Sequence, residues 1–206
     1  MPAVSKRKTR DLRARARAFA RPLARLLIVA PALLVAGCGD GRDPAAAEAF
    51  HAFAEAFPPA ELPVRVDARA VMTTDYSRPI DNDLARRHLC PLAACPHNPL
   101  DGPEQLGFVY GWRLPAPGGH VALAFYNRRL GTGYIATYTR DGEPVDALTA
   151  SYWRPGPAGG AASASARVDR EGVIHYDEDR PASGRQAASQ RALSYRIGRN
   201  GRIAPQ

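Results

Sequence analysis

Tyr134-Ile135-Ala136-Thr137-Tyr138-Thr139-Arg140-Asp141-Gly142-Glu143-Pro144-Val145-Asp146-Ala147-Leu148-Thr149-Ala150-Ser151-Tyr152-Trp153 is the stretch whose reading decides the fold. Both arms are rich in β-branched and aromatic side chains, which suit a pleated surface. Asp141-Gly142 between them is a tight-turn signal. The spacing therefore predicts a hairpin, Tyr134–Arg140 against Pro144–Trp153.

The same pattern spreads outward. Val64, Val66 and Ala68 alternate with Arg65, Asp67 and Arg69. Phe108, Tyr110, Trp112 and Leu114 recur at period two, and the run Val121–Tyr126 follows. Downstream, Ala164–Asp169, a turn at Glu171-Gly172, and Val173–Tyr176 read as a second hairpin. Ala192–Ile197 leads through Asn200-Gly201 to a last short strand. Arg154–Ala162, rich in Gly and Pro, reads as a loop. Short strands separated by turns, with no βαβ alternation and no solenoid repeat, predict an antiparallel meander.

Helical signals stand at one side of this series. Asp43 suits an N-cap and Pro44 the first helical position. Phe50, Phe53 and Phe57 share one stripe of the Ala-rich segment that follows, and Pro58-Pro59 ends it. A helix over 44–57 should pack this stripe on the sheet. A shorter helix is expected from about Asp81 to Leu89, stopped by Pro91. The fold class is thus mainly β (α+β): a meander sheet, flat or curved, with an N-terminal helix on it.

The first 38 residues carry a different message. A basic segment from Met1 to Arg25 precedes the 11-residue apolar run Leu26–Ala36, which Pro31 interrupts. A spanning helix needs about 20 apolar residues, so the run reads as an export signal. Leu34-Val35-Ala36-Gly37-Cys38 resembles the lipobox of bacterial lipoproteins. The resemblance implies cleavage between Gly37 and Cys38, and acylation of Cys38 with chains such as palmitate. It divides the chain into a signal peptide (1–37), a short tether (38–43) and one β-rich domain (44–206). Gly39, rather than Asp, follows Cys38. In that family this favours the outer membrane, facing the periplasm, where the cell has one.

Removing the signal changes the electrostatics. The whole chain has net charge +8, and residues 1–37 hold nine of its 28 Lys/Arg but one of its 20 Asp/Glu. The remainder is neutral, and all its cations are Arg. A nucleic-acid partner read from the basic pI is thereby excluded. Partners reduce to the membrane, through the lipid, and to a protein of the envelope.

Few residues carry chemistry. Cys90 and Cys95 are the pair left once Cys38 is acylated, and an even pair in an exported chain reads as a disulfide. The symmetric His88-Leu89-Cys90 and Cys95-Pro96-His97 arrangement leaves a metal reading open, with His88, Cys90, Cys95 and His97 as ligands. No nucleophile elbow, zincin motif or P-loop is present, and no cofactor motif. Ser151, His175 and Asp146 can be assembled as a triad on paper only. Asp177-Glu178-Asp179 reads as a solvated turn before a cation loop. Arg180, Arg185, Arg191, Arg196, Arg199 and Arg202 fall in a C-terminal stretch without acids, which reads as a solvated strand face or a patch for anionic lipid. The expected function is a non-catalytic binding or assembly module. The alternatives are a carrier of apolar ligand lined by Phe108, Tyr110, Trp112, Phe125, Tyr152 and Trp153, and an envelope enzyme.

Overall fold

The computed structural model describes residues 43–73, 78–93, 95, 106–156, 161–182 and 187–206, all within one compact unit. The signal segment, Gly37, Cys38, His97 and Arg185 lie outside them. Helix α1 (Pro44–Glu55) opens the fold, and the Asp43 carboxylate accepts from the Ala45 amide at 3.0 Å. The helix stops two residues short of the expected 57, with Ala56 at its C-cap before Pro58-Pro59. Strand β1 (Val64–Val66) is shorter than its alternation suggests. The Asp67 side chain accepts from the Arg69 amide and starts helix α2 (Ala68–Thr73) instead.

Asp81 caps α3 (Asn82–Leu84) through the Asp83 and Leu84 amides. The expected helix to Leu89 forms, but its second part, Ala85–Leu89, is a π-helical turn. Strands β2 (Phe108–Leu114), β3 (Val121–Asn127), β4 (Thr132–Tyr138), β5 (Pro144–Pro155), β6 (Ala161–Val168), β7 (Val173–Arg180), β8 (Ser189–Ile197) and β9 (Ile203–Pro205) then follow as an antiparallel meander. The predicted hairpin is β4–β5. Two loop readings are corrected. Strands reach Pro155 and restart at Ala161, and Asp177-Glu178-Asp179 sits inside β7 rather than in a turn.

The sheet is curved and open. The first part of β5 pairs with β4, and its last four residues, Tyr152–Pro155, pair with β6. β1 takes the place beside Ala166–Val168 of β6 that β5 has left. This lets the sheet fold back on itself. Ala122, Ala124, Ile135 and Ala150 of the first half share one core with Ala166, Val168, Ile174 and Ile197 of the second. Two polar ties fix the fold-over: Thr137 Oγ1 donates to the Gly201 carbonyl at 2.7 Å, and Asp146 Oδ2 accepts from the Ile203 amide at 2.9 Å.

The opposite face of β2–β4 carries Phe108, Leu123, Phe125, Tyr134 and Tyr138, under Phe50 and Phe53 of α1 and Phe57 just beyond its end. β4 is consequently buried on both faces, along its whole length. The period-two reading of β2 also needs correction. The β2–β3 register shifts between Tyr110 and Trp112, with Gly111 as the extra residue. Phe108 and Tyr110 belong to the core under the helices, whereas Trp112 and Leu114 belong to the core between the sheet halves.

Candidate binding cleft

Side chains at alternate positions of a strand share a face, and residues opposite each other in neighbouring strands form a row. One such row crosses the second half of the sheet: Tyr152 (β5), Ala164 (β6), Glu178 (β7) and Arg191 (β8). β5 and β7 are two strand spacings apart, about 9.5 Å. Ala164 is small enough to leave that gap open, so the Tyr152 phenol reaches over it and donates to Glu178 Oε1 at 2.5 Å. Arg180, two residues along the same face, donates to the same oxygen from Nη2 at 2.7 Å and Nε at 3.0 Å. Tyr176 adds a long contact of 3.5 Å.

Glu178 is only 8 % exposed. A buried carboxylate needs such donors, because desolvation penalises its charge. The Tyr152 hydrogen bond, assisted by Arg180, holds its pKa below the ordinary 4.5 against the opposing effect of burial. The same burial and carboxylate raise Tyr152.

Around this fixed centre lies an open cleft of about 540 Å³, lined further by Arg65, Asp67, Ser165, Asp177, Asp179 and Gln190. Arg65 donates to Ser165 Oγ at 3.3 Å and lies 3.6 Å from the Asp67 carboxylate. The lining is polar, of both signs, and offers donors and acceptors together. Sequence reasoning named Tyr152 as an apolar liner and the acidic run as solvated. It missed their meeting, because no local pattern shows which residues lie two strands apart.

The other candidates separate. Phe108, Tyr110 and Phe125 lie in the core under α1, and Trp112 packs edge-on against Tyr126 in the other core, 6.1 Å between rings. Tyr152 is in the polar cleft and Trp153 is half-buried. The six residues thus surround no common space. The paper triad does not assemble: Asp146 holds the Ile203 amide, and His175 Nε2 meets Asp169 at 2.7 Å. Ser151 Oγ is buried with no partner among the described residues.

Cys90 and Cys95 stand at disulfide distance, with Cα atoms 5.3 Å apart. So short a loop contributes about 2 kcal/mol through chain entropy. His88 is 7 % exposed and stacks on Phe53, with 4.7 Å between rings, while its carbonyl accepts from the Tyr138 hydroxyl at 2.9 Å. Burial, then the Arg87 charge, lowers its pKa from 6.5. It serves as a core side chain. Among the described residues, no three His, Cys, Asp or Glu side chains converge as metal ligands. The C-terminal arginines do not form one patch. Arg180 binds Glu178 and Arg191 lines the cleft, whereas Arg196 and Arg199 lie beside Pro117 and Arg170.

The carboxylates give the fold an acid limit. Glu178 is held below 4.5, and Asp169 is held below 3.8, chiefly by the His175 hydrogen bond. A depressed folded-state pKa gives stability that is full above the ordinary value and is lost as pH falls through the folded one. Urea midpoints measured against pH should therefore decline below about 4.5, and E178Q should flatten part of that limb. His88 adds an earlier decline, starting below 6.5, because its neutral form is preferred in the fold. An unchanged acid limb in E178Q would contradict the role given to this carboxylate.

No described helix is long and apolar enough to cross a membrane. No family model, curated protein or solved structure matches this chain.

Proposed function

We propose that this chain is an exported lipoprotein, acylated on Cys38, whose β domain is a non-catalytic binding module held at the cell envelope. In a two-membrane cell it faces the periplasm from the outer membrane. The observation that carries the binding role is the buried Glu178 carboxylate, fixed by Tyr152 and Arg180 within an open, polar cleft. Its donors are set in place before any ligand arrives, which lowers the ordering cost of binding. The mixed charges of Arg65, Arg191, Asp177 and Asp179 suit a polar partner carrying both signs, such as a segment of another envelope protein. The anchor rests on the Leu34–Cys38 lipobox, and two acyl chains give stable attachment.

The test is expression of the full chain in a two-membrane bacterium with labelled palmitate. Label should enter the protein and the chain should sediment with membranes. Cys38→Ala should abolish both. A photo-crosslinking residue at Gln190, beside the cleft, should give an envelope adduct that Arg191→Glu removes. An unlabelled chain would sink the anchor, and adducts indifferent to Arg191 would sink the cleft.

A further inference from the structure

At the sheet end opposite the cleft, three turns and a 3-10 turn come together. Gly118, in the 3-10 turn Pro117–Gly119, lies so close to the Arg199 carbonyl that a Cβ would overlap it. Gly119 adjoins the Arg140 guanidinium, and Gly201 adjoins His120. Beside them, Pro115, Pro117, Arg170, Glu171, Arg196 and Arg199 line an open cleft of about 540 Å³. Four exposed guanidiniums therefore stand on this one end: Arg140, Arg170, Arg196 and Arg199. Among the described residues none of the four lies within ion-pair distance of a carboxylate. Of the acids on this end, Glu143 and Glu171 are exposed, whereas Asp141, Asp146 and Asp169 are half-buried, Asp146 holding the Ile203 amide and Asp169 meeting His175; the exposed charge here is mostly arginine, Arg202 included.

Helix α1 starts over the same end. Phe50 lies against the Gly142 backbone in the β4–β5 turn, while Phe57 lies on Tyr110 in the middle of β2. The helix thus runs from the turn inward, and Asp43 is seven residues before Phe50, about 10 Å along the axis. Cys38 is five residues further, at most about 17 Å of extended chain. An acyl anchor on Cys38 keeps this end near the bilayer.

The geometry points to a docking surface: the end bearing Arg140, Arg170, Arg196 and Arg199 rests on the anionic phosphates of the membrane that holds the anchor. The inference rests on acylation of Cys38 as proposed above. Its occupant follows from the tether length and from charge. Arginine pairs bidentately with phosphate, and each cation near an anionic surface strengthens attachment about fivefold. A further consequence concerns access. Glu178 is five residues up β7 from the Asp169–Gly172 turn, about 17 Å, so docking turns the polar cleft away from the lipid.

The test uses the full, processed chain in vesicles, read by amide hydrogen exchange. In phosphatidylglycerol-rich vesicles, amides at 170–172 and 196–199 should exchange about fivefold or more slowly than in phosphatidylcholine. High salt should restore the faster rate, and so should the triple change Arg170→Glu, Arg196→Glu, Arg199→Glu. Arg86→Glu with Arg87→Glu, on the π-helical turn, should not. Equal rates in the two vesicles, or protection at 163–165 instead, would overturn the docking. The intact mass reports the anchor separately. A chain without acyl groups on Cys38 overturns the anchor and this orientation together, whereas an acylated chain without protection overturns the docking alone.

Discussion

Phe50→Ala is expected to cost about 3–5 kcal/mol of unfolding free energy, read from urea denaturation of the purified chain. Phe50 is 1 % exposed. Its ring meets Tyr138 at 5.1 Å, His88 at 5.5 Å and Phe53 at 6.3 Å between centroids, and it covers the Gly142 backbone. Alanine would leave a cavity between a helix and a turn. Neither can close it: α1 is held by Phe53 and by Phe57 just after it, and the turn by the Gly142–Thr139 hydrogen bond. A domain of this size has about 5–15 kcal/mol in total, so the loss is a large share. It would fall on the helix that covers one face of the sheet. A change under about 1 kcal/mol would mean that α1 is not packed as described.

Gly111→Ala should be the second large effect, toward the upper end of 1–3 kcal/mol. A Cβ there would overlap the Ala124 carbonyl and sit 3.1 Å from the Tyr126 ring. Backbone cannot move aside as a flexible side chain can. The strain would fall on the β2–β3 bulge, which assigns Tyr110 and Trp112 to different cores. Gly172→Ala is the comparison. Its Cβ would meet nothing within 4 Å, but its φ of +76° is unfavourable for alanine, at about 1–2 kcal/mol. Equilibrium unfolding should rank Gly111→Ala as the more damaging. The reverse order would show that the bulge relaxes freely.

Much of the fold was legible because its signals are local. Asp141-Gly142 marks a hairpin through its own backbone preferences, and Asp43-Pro44 starts α1 by capping and a preset φ. Ala68 was misplaced, since alternation continued past the point where Asp67 captures the Arg69 amide. The run Tyr134–Tyr138 carries no charged residue, which is the mark of a strand covered on both faces. Its second cover comes from β6–β8, about 30 residues later, beyond the reach of any period.

The candidate site was much less legible. Glu178 looked like one acid among three in a polar run. What singles it out is Tyr152, brought opposite by the β5–β6–β7 register, and the small Ala164 between them. Cys90 and Cys95 could be paired from the sequence because they are the pair left once Cys38 is set aside, and the structure places them at disulfide distance.

The sequence by itself determined the pairing of neighbouring strands, the caps and the turns. Each depends on residues within a few positions of one another. Only the tertiary structure decided which face each strand turns to which core, where β5 leaves its partner for β6, and how the arginines divide between the two ends of the sheet. Those outcomes follow from one inserted glycine and from the curl of the whole sheet, and both act between residues that the chain keeps far apart.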